Sequence, residues 1–255
     1  MKAHAKLNLA LVVGPLRADG KHELVTVYQR LALADELHFR VARTTTIEGF
    51  ADDTLIRRAL EAADPSRHWH VRIDKRIPVA AGLGGGSSDA AAALHHANRT
   101  RSPFELEELA AQLGADVPFF LREGPQLGTG DGTELQPLDL PRDYHVVLLL
   151  PDGETKRSTA DVYRAFDERQ GSRGWEDRRT RLHAALQARD LAALPPNDLA
   201  QSPHARTLHS LGAFRADVTG AGPIVYGLFR DEDVARAATA ELERLGRVWI
   251  TAPAW

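Results

Sequence analysis

Gly84-Gly85-Gly86 followed by Ser87-Ser88 is the stretch of this chain whose composition speaks most directly of chemistry. Consecutive glycines let the backbone approach a ligand closely, and Ser88-Asp89-Ala90 opens an alanine-rich helical pattern that runs to about Asn98. The N-terminus of a helix presents unpaired N–H groups and the positive end of its dipole, so this junction suits a phosphate. It is not a Walker loop, because no Gly-Lys-Ser/Thr follows. Nor does it complete G-x-G-x-x-G, because Ser87 stands where the last glycine belongs. A flexible turn between strand and helix is the plainer alternative on these residues alone.

Acid–base candidates lie elsewhere. Strand alternation puts Lys6 and Asn8 on one face while Leu7 and Leu9 face the other way; by themselves the two polar residues read equally as a solvent face. Asp116 sits in Gly114-Ala115-Asp116-Val117-Pro118-Phe119-Phe120-Leu121, where apolar neighbours make a carboxylate costly unless it is paired. Capping of the next element is its ordinary alternative. His22, in Asp19-Gly20-Lys21-His22-Glu23-Leu24, is open to three readings: metal ligand, base or turn residue. Eleven histidines are present without H-E-x-x-H or a comparable ligand spacing, which speaks against a protein-held transition metal.

The elements that must carry these residues begin with strands at 7–13, 24–33, 36–41 and 69–77, with turn chemistry at Arg17-Ala18-Asp19-Gly20 between the first two. Ser102-Pro103-Phe104-Glu105 is a capping box with Pro at the first helical position, and its helix stops at Gly114, just before Asp116. After an apolar strand at 146–150, Pro151-Asp152-Gly153 predicts a boundary between a domain at 1–150 and another at 151–255. Residues 164–181 are charged enough to be a mobile excursion, with an ordinary solvated surface as the plainer reading. Strands at 216–219, 224–229 and 247–251 follow, with a helix at 233–245 that Gly246 stops. The second half is therefore expected to be α+β.

The 255 residues are 43% hydrophobic, ample for a core, and 32 Lys+Arg against 35 Asp+Glu leave a formal charge of −3. No global positive field exists to hold a nucleic-acid backbone. Zero cysteines fit a reducing cytoplasm. Lys2 and Lys6 ahead of the apolar run at 7–13 superficially suggest a signal peptide, but Asn8 interrupts the run and Gly14-Pro15 ends it, which predicts a strand. The longest later apolar run, 146–150, falls far below the roughly 20 residues needed to span a bilayer, so no membrane role is expected.

Ala5-Lys6-Leu7-Asn8-Leu9, Asp19-Gly20-Lys21-His22-Glu23-Leu24, the segment from Pro78 through the glycines to Asp89, and Gly114-Ala115-Asp116-Val117-Pro118 together resemble the GHMP kinase superfamily. The Lys-x-Asn and Asp-Gly-x-His-Glu-Leu pair is most similar to its branch that phosphorylates a cytidyl-diphosphate alcohol in the non-mevalonate isoprenoid pathway. Ser158-Thr159-Ala160-Asp161-Val162-Tyr163, Asn197-Asp198-Leu199 and Thr219-Gly220-Ala221-Gly222 extend the resemblance over nearly the whole chain.

The resemblance implies an α+β, two-domain GHMP kinase fold, with a ribosomal-S5-like N-terminal domain, a ferredoxin-like C-terminal domain and substrates in the cleft between. It implies ATP and Mg²⁺, a small-molecule alcohol acceptor, a cytoplasmic location, and a monomer or weak homodimer. Asp116 would be the base near the acceptor hydroxyl and Lys6 its partner. Gly82, Leu83, Gly84, Gly85, Gly86, Ser87 and Ser88 would surround the ATP phosphates. Asn8, Lys21, His22, Thr159, Tyr163, Gly220 and Gly222 would bind the acceptor, with Asn8 at its erythritol end and the last two glycines closing the cleft. The metal ligands stay unassigned.

Two positions depart from the family: Lys21 replaces a tyrosine expected against cytosine, and Thr54 replaces an asparagine expected near adenine. A homoserine or mevalonate type of GHMP kinase is the alternative within the superfamily, and a catalytically silent nucleotide-binding protein is the alternative outside enzymes.

Overall fold

The computed structural model describes residues 1–50, 54–155 and 158–255. Its elements in chain order are β1 (Lys2–Leu16), β2 (His22–Ala42), β3 (Thr46–Glu48), α1 (Thr54–Ala63), β4 (His68–Asp74), α2 (Gly85–Ala97), α3 (Pro103–Leu113), α4 (Val117–Leu121), β5 (Gln126–Thr129), β6 (Glu134–Pro137) and β7 (His145–Pro151). They continue with α5 (Thr159–Glu168), α6 (Trp175–Gln187), a short 3-10 turn, α7 (His204–Ser210), β8 (Arg215–Val218), β9 (Val225–Phe229), α8 (Glu232–Leu242) and β10 (Gly246–Thr251). The α+β expectation holds. No helix among the described residues is long and apolar enough to cross a membrane.

Two compact units form, each discontinuous in sequence: residues 1–6, 32–79 and 84–123 make the first, and residues 7–31, 80–83 and 124–255 the second. β1 and β2 contribute to both. In the first unit, Glu36–Ala42 of β2 pairs antiparallel with β4, and β3 lies parallel to β4. Leu37, Val71 and Ile73 face a core shared with Ile56, Leu60, Leu94 and the alanines of α2. Alanine is what lets α2 sit so close, because its helix propensity is high and its side chain occupies almost no space. The Ser102 capping box forms as the sequence predicts: Ser102 N–H donates to Glu105 Oε2 at 2.8 Å.

In the second unit, β5 pairs with Thr26–Tyr28 of β2 and with β6. A separate antiparallel sheet runs β10-β7-β9-β8 and is covered by α7 and α8, which bury Leu208, Ala235, Ala238 and Leu242. Read along the chain from β7, the alternation of these four strands with helices is the ferredoxin-like pattern. The pattern starts with β7, so this layer begins before the Pro151-Asp152-Gly153 turn.

Several expectations shift. The strands predicted at 24–33 and 36–41 are one strand of 21 residues, because Ala34 and Asp35 continue the extended chain through what reads as a polar break. The strand predicted at 69–77 ends at Asp74. Residues 164–181 are a solvated surface, as read, carried on α5 and the start of α6; among them only Phe166 and Trp175 are buried, so the excursion reading gives way to two helices. The opening segment is a strand, as predicted.

Candidate functional site

α2 begins at Gly85, three residues earlier than its composition suggests. Gly84 adopts φ +70°, redirecting the chain so that Gly85, Gly86 and Ser87 take the first-turn positions. The first helical bond is Ser88 N–H to Gly84 O, at 2.9 Å, so the amides ahead of it have no partner within the helix. These glycines differ in what surrounds them. A Cβ on Gly84 would lie 2.9 Å from Phe120 Cζ and 3.0 Å from Lys6 Cγ, so the loop is pressed against the first strand. A Cβ on Gly85 would meet Ile77 Cγ2 at 3.1 Å, whereas one on Gly86 would meet nothing within 4 Å. Gly86 is therefore the position open to a ligand. Leu83 and Ser88 are buried.

Lys6 and Asp116, 110 positions apart, meet beside this loop. Lys6 Nζ stands 3.3 Å from Asp116 Oδ2, with the lysine side chain 4% exposed and the aspartate 32%. The solvent-face alternative for Lys6 fails because β1 is buried on both faces, Leu7 and Leu9 on one and Lys6 and Asn8 on the other. The capping alternative for Asp116 fails too: it occupies the N-cap position of α4, yet its side chain makes no capping hydrogen bond. A buried cation and a half-buried carboxylate next to unpaired helix amides can orient a hydroxyl, accept its proton and neutralise phosphate charge.

Asn8 belongs to a buried cluster in the second unit. Its Nδ2 donates to Thr26 Oγ1 at 2.8 Å, and its main-chain N–H donates to Thr219 Oγ1 at 3.0 Å. Thr219 leads into the turn with Gly220 (φ +57°) and Gly222 (φ +79°). Gly82 lies against the same turn, since a Cβ there would be 2.9 Å from Thr219 O.

Lys21 and His22 have different surroundings. Lys21 is exposed and its Nζ pairs with Asp131 Oδ2 at 2.5 Å. The hydrogen bond to Asp131 raises the pKa of Lys21, and although burial opposes it, the same contact with help from Thr133 lowers that of Asp131. His22 is buried, with Nδ1 bonded to Gly14 O at 2.9 Å and Nε2 facing Asp167 Oδ1 at 3.3 Å. Its ring stacks on Tyr163, centroids 5.2 Å apart and planes 20° off parallel, so one face of Tyr163 already carries a ring. Thr159 is exposed at the start of α5. Asp53 lies outside the described residues, and Thr54 is the first residue of α1.

Sequence reasoning missed one ionic cluster. Lys75 Nζ donates to Asp35 Oδ2 at 2.6 Å and to Asp89 Oδ2 at 2.7 Å, both carboxylates being fully buried. Asp35 Oδ1 also accepts from the N–H groups of Arg76 and Ile77. Burial opposes the Lys75 ammonium, but the two carboxylates outweigh it and its pKa is raised. The cluster fastens the end of β4 to α2. Asp89 inside an alanine run was its visible signal, because an unpaired charge there would be costly.

The comparisons with known proteins agree in kind. The GHMP kinases N terminal domain matches residues 50–124 and the GHMP kinases C terminal domain matches residues 205–248. The chain is 36% identical to a 4-diphosphocytidyl-2-C-methyl-D-erythritol kinase of Desulfitobacterium hafniense, over 98% of this chain and 94% of that one. It is 38% identical to the enzyme of that name from Anaeromyxobacter dehalogenans, over 94% of this chain and 84% of that one. A crystal structure of 4-(cytidine 5'-diphospho)-2C-methyl-D-erythritol kinase superposes with a TM-score of 0.81 at 31% identity, covering 100% of this chain and 99% of that one.

Proposed function

The chain belongs to the GHMP kinases, in the family of the 4-diphosphocytidyl-2-C-methyl-D-erythritol kinases, and we infer that it transfers a phosphoryl group from ATP to a hydroxyl of that cytidyl-diphosphate alcohol, in the non-mevalonate route to isoprenoid precursors. The observation that carries the chemistry is the Lys6–Asp116 pair beside the start of α2. Asp116 takes the proton of the acceptor hydroxyl as it attacks, and Lys6 orients Asp116 and stabilises the developing oxyanion. The amides of Gly85, Gly86 and Ser87, backed by Gly82, Leu83, Gly84 and Ser88, receive the phosphates. In-line placement and charge stabilisation supply most of the acceleration in such a transfer, so no covalent step on the protein is required.

The donor set bears on Mg²⁺. The carboxylates nearest the loop are already engaged, Asp116 with Lys6, and Asp35 and Asp89 with Lys75. Mg²⁺ keeps several waters and binds hard oxygens, so the hydroxyls of Ser87 and Ser88 are the protein groups suited to hold it, and the phosphates supply the rest. When bound it neutralises phosphate charge.

Asn8, Gly220 and Gly222 are proposed to bound the alcohol, and Lys21, His22, Thr159 and Tyr163 its cytidyl end. We place the protein in the cytoplasm, active as a monomer or weak homodimer, with an N-terminal and a C-terminal kinase domain. Incubating purified protein with ATP, Mg²⁺ and a panel of alcohols tests the reading. ADP release is expected with the cytidyl alcohol alone, and release with homoserine or mevalonate instead would replace this reading with the wider one.

The loop assignment has its own test. Gly86→Val should leave the melting temperature of the unliganded protein almost unchanged, because nothing occupies the space its side chain enters, yet abolish the rise in melting temperature that ATP produces. Gly85→Val is the contrast: its side chain meets Ile77, so the unliganded protein should itself melt lower. Thermal shift with and without ATP separates the two, and an intact ATP response in Gly86→Val removes the loop from the site.

For the cytidyl end, Tyr163→Ala should weaken acceptor binding by about 1–3 kcal/mol, the range for an aromatic stacked on a base. Lys21→Tyr should tighten it at little cost in stability, since the Lys21–Asp131 ion pair is exposed and screened by solvent. Specificity constants for the cytidyl substrate and a base-free analogue provide the check. Equal use of both by the natural protein means that no cytosine pocket exists.

A further inference from the structure

The Asn197-Asp198-Leu199 motif has no part in the transfer set out above, yet Asn197 is 2% exposed and its side chain is fully employed. Nδ2 donates to Val218 O at 2.9 Å and to Gly220 O at 2.7 Å, while Oδ1 accepts from Leu199 N–H at 2.8 Å and Ala200 N–H at 3.4 Å. A primary amide has two donors and an acceptor with two lone pairs, and each is used. The main-chain N–H of Asn197 also donates to Asp217 Oδ2 at 2.8 Å. One buried residue therefore ties down the end of β8 and the turn after it. Asp198 engages other partners, Val13 N–H at 2.8 Å and Arg178 Nε at 2.9 Å.

The turn so held reaches two places. Thr219 Oγ1 accepts from the main chain of Asn8. Thr219 O and Gly222 O stand 2.9 and 3.1 Å from where a Gly82 Cβ would be, so this end of the glycine loop rests backbone to backbone on the turn. Inside the turn, Gly220 and Gly222 hold left-handed conformations and Gly222 N–H bonds to Thr219 O at 3.0 Å. Glycines impose little restraint of their own, and a segment containing two of them keeps one geometry only if something outside fixes it.

We propose that Asn197 is a positioning residue for the phosphoryl transfer, acting through the 218–222 turn to fix the main chain of Asn8 and Gly82. The proposal rests on the reading that Asn8 and Gly82 border the site. A misplacement of about 1 Å can cost roughly 10²-fold in rate without removing any contact to substrate.

Asn197→Asp is the sharpest probe, because it keeps the acceptor that serves Leu199 and Ala200 and removes the donors to Val218 and Gly220. Asn197→Ala is the fallback if the aspartate variant does not fold. Asp231→Ala, which deletes the N-cap of α8, is the control for a general loss of stability. All are assayed well below their melting temperatures. The expected result is a fall in kcat of about 10- to 100-fold for the Asn197 variant, with KM for ATP and for the alcohol within about threefold. Amide exchange at Thr219 and Gly222 should speed up at least tenfold, and Asp231→Ala should show neither effect. A lowered melting temperature with unchanged kcat makes Asn197 merely structural and overturns the proposal. So does a fall in kcat with unchanged exchange at the turn. If the natural protein does not phosphorylate the cytidyl alcohol, the functional reading fails on that assay, while the exchange measurement still decides whether Asn197 holds the turn.

Discussion

Asp116→Asn is expected to retain ATP binding and lose about 10²- to 10⁴-fold in kcat, the usual contribution of a positioned general base. The amide keeps the size of the carboxylate and still offers an oxygen to Lys6, 3.3 Å away, so the local packing has little reason to change. What it cannot do is accept a proton from the attacking hydroxyl. The aspartate is one-third exposed and makes no capping bond to α4, but it is the counter-charge of a buried lysine, so the unliganded melting temperature should fall modestly and kinetics are compared well below it. Single-turnover kinetics with saturating ATP is the measurement. Turnover within threefold of the natural protein would remove Asp116 from the mechanism.

Lys6→Met should be comparably damaging, by about 10²-fold or more in kcat, and for a linked reason. The lysine is 4% exposed, so its ammonium acts where water screens it least, and methionine fills the same space without the charge. If Lys6 and Asp116 work as a unit, the double variant Lys6→Met/Asp116→Asn will be no worse than the more damaged single variant. Fully multiplicative losses would show two independent roles. A Lys6→Met enzyme with normal kcat and a raised KM for ATP would make the lysine a phosphate ligand.

The parts of this site that were legible in the sequence are those governed by local rules. The glycine run announces a helix start because glycine and an N-terminal turn are local properties, and the Ser102-Pro103-Phe104-Glu105 box forms as its sequence predicts. Even so, α2 starts three residues before the point its composition indicates, since one left-handed Gly84 turns two glycines into helix, against their propensity. Pairings across the chain left no periodic trace. Alternation showed that Lys6 and Asn8 share a face, but only tertiary burial shows that neither face of β1 meets solvent. Lys75 with Asp35 and Asp89, and Asn197 with the 218–222 turn, are contacts between distant segments whose composition gives only a hint, a charge among alanines or a short recurring motif. Residues 164–181 were legible as a solvated surface, but their charges hid the helices, because the apolar residues that seat those helices, Phe166 and Trp175, are few.

The bond from Asn8 to Thr219 joins residues 211 positions apart, and Tyr226 reaches the main chain of Leu9 across 217. Such contacts give this unit a high contact order, and their loop-closure entropy must be met before they return any stabilisation. On the ribosome the consequence is temporal. At about 5–20 residues per second, β1 can pair with β2 soon after it emerges, but its bonds to Thr219 and Tyr226 wait tens of seconds or less for the far end of the chain. The second unit is thus incomplete until β9 arrives, and the middle of β1, apolar and β-prone, is the segment left short of its native cover in the meantime.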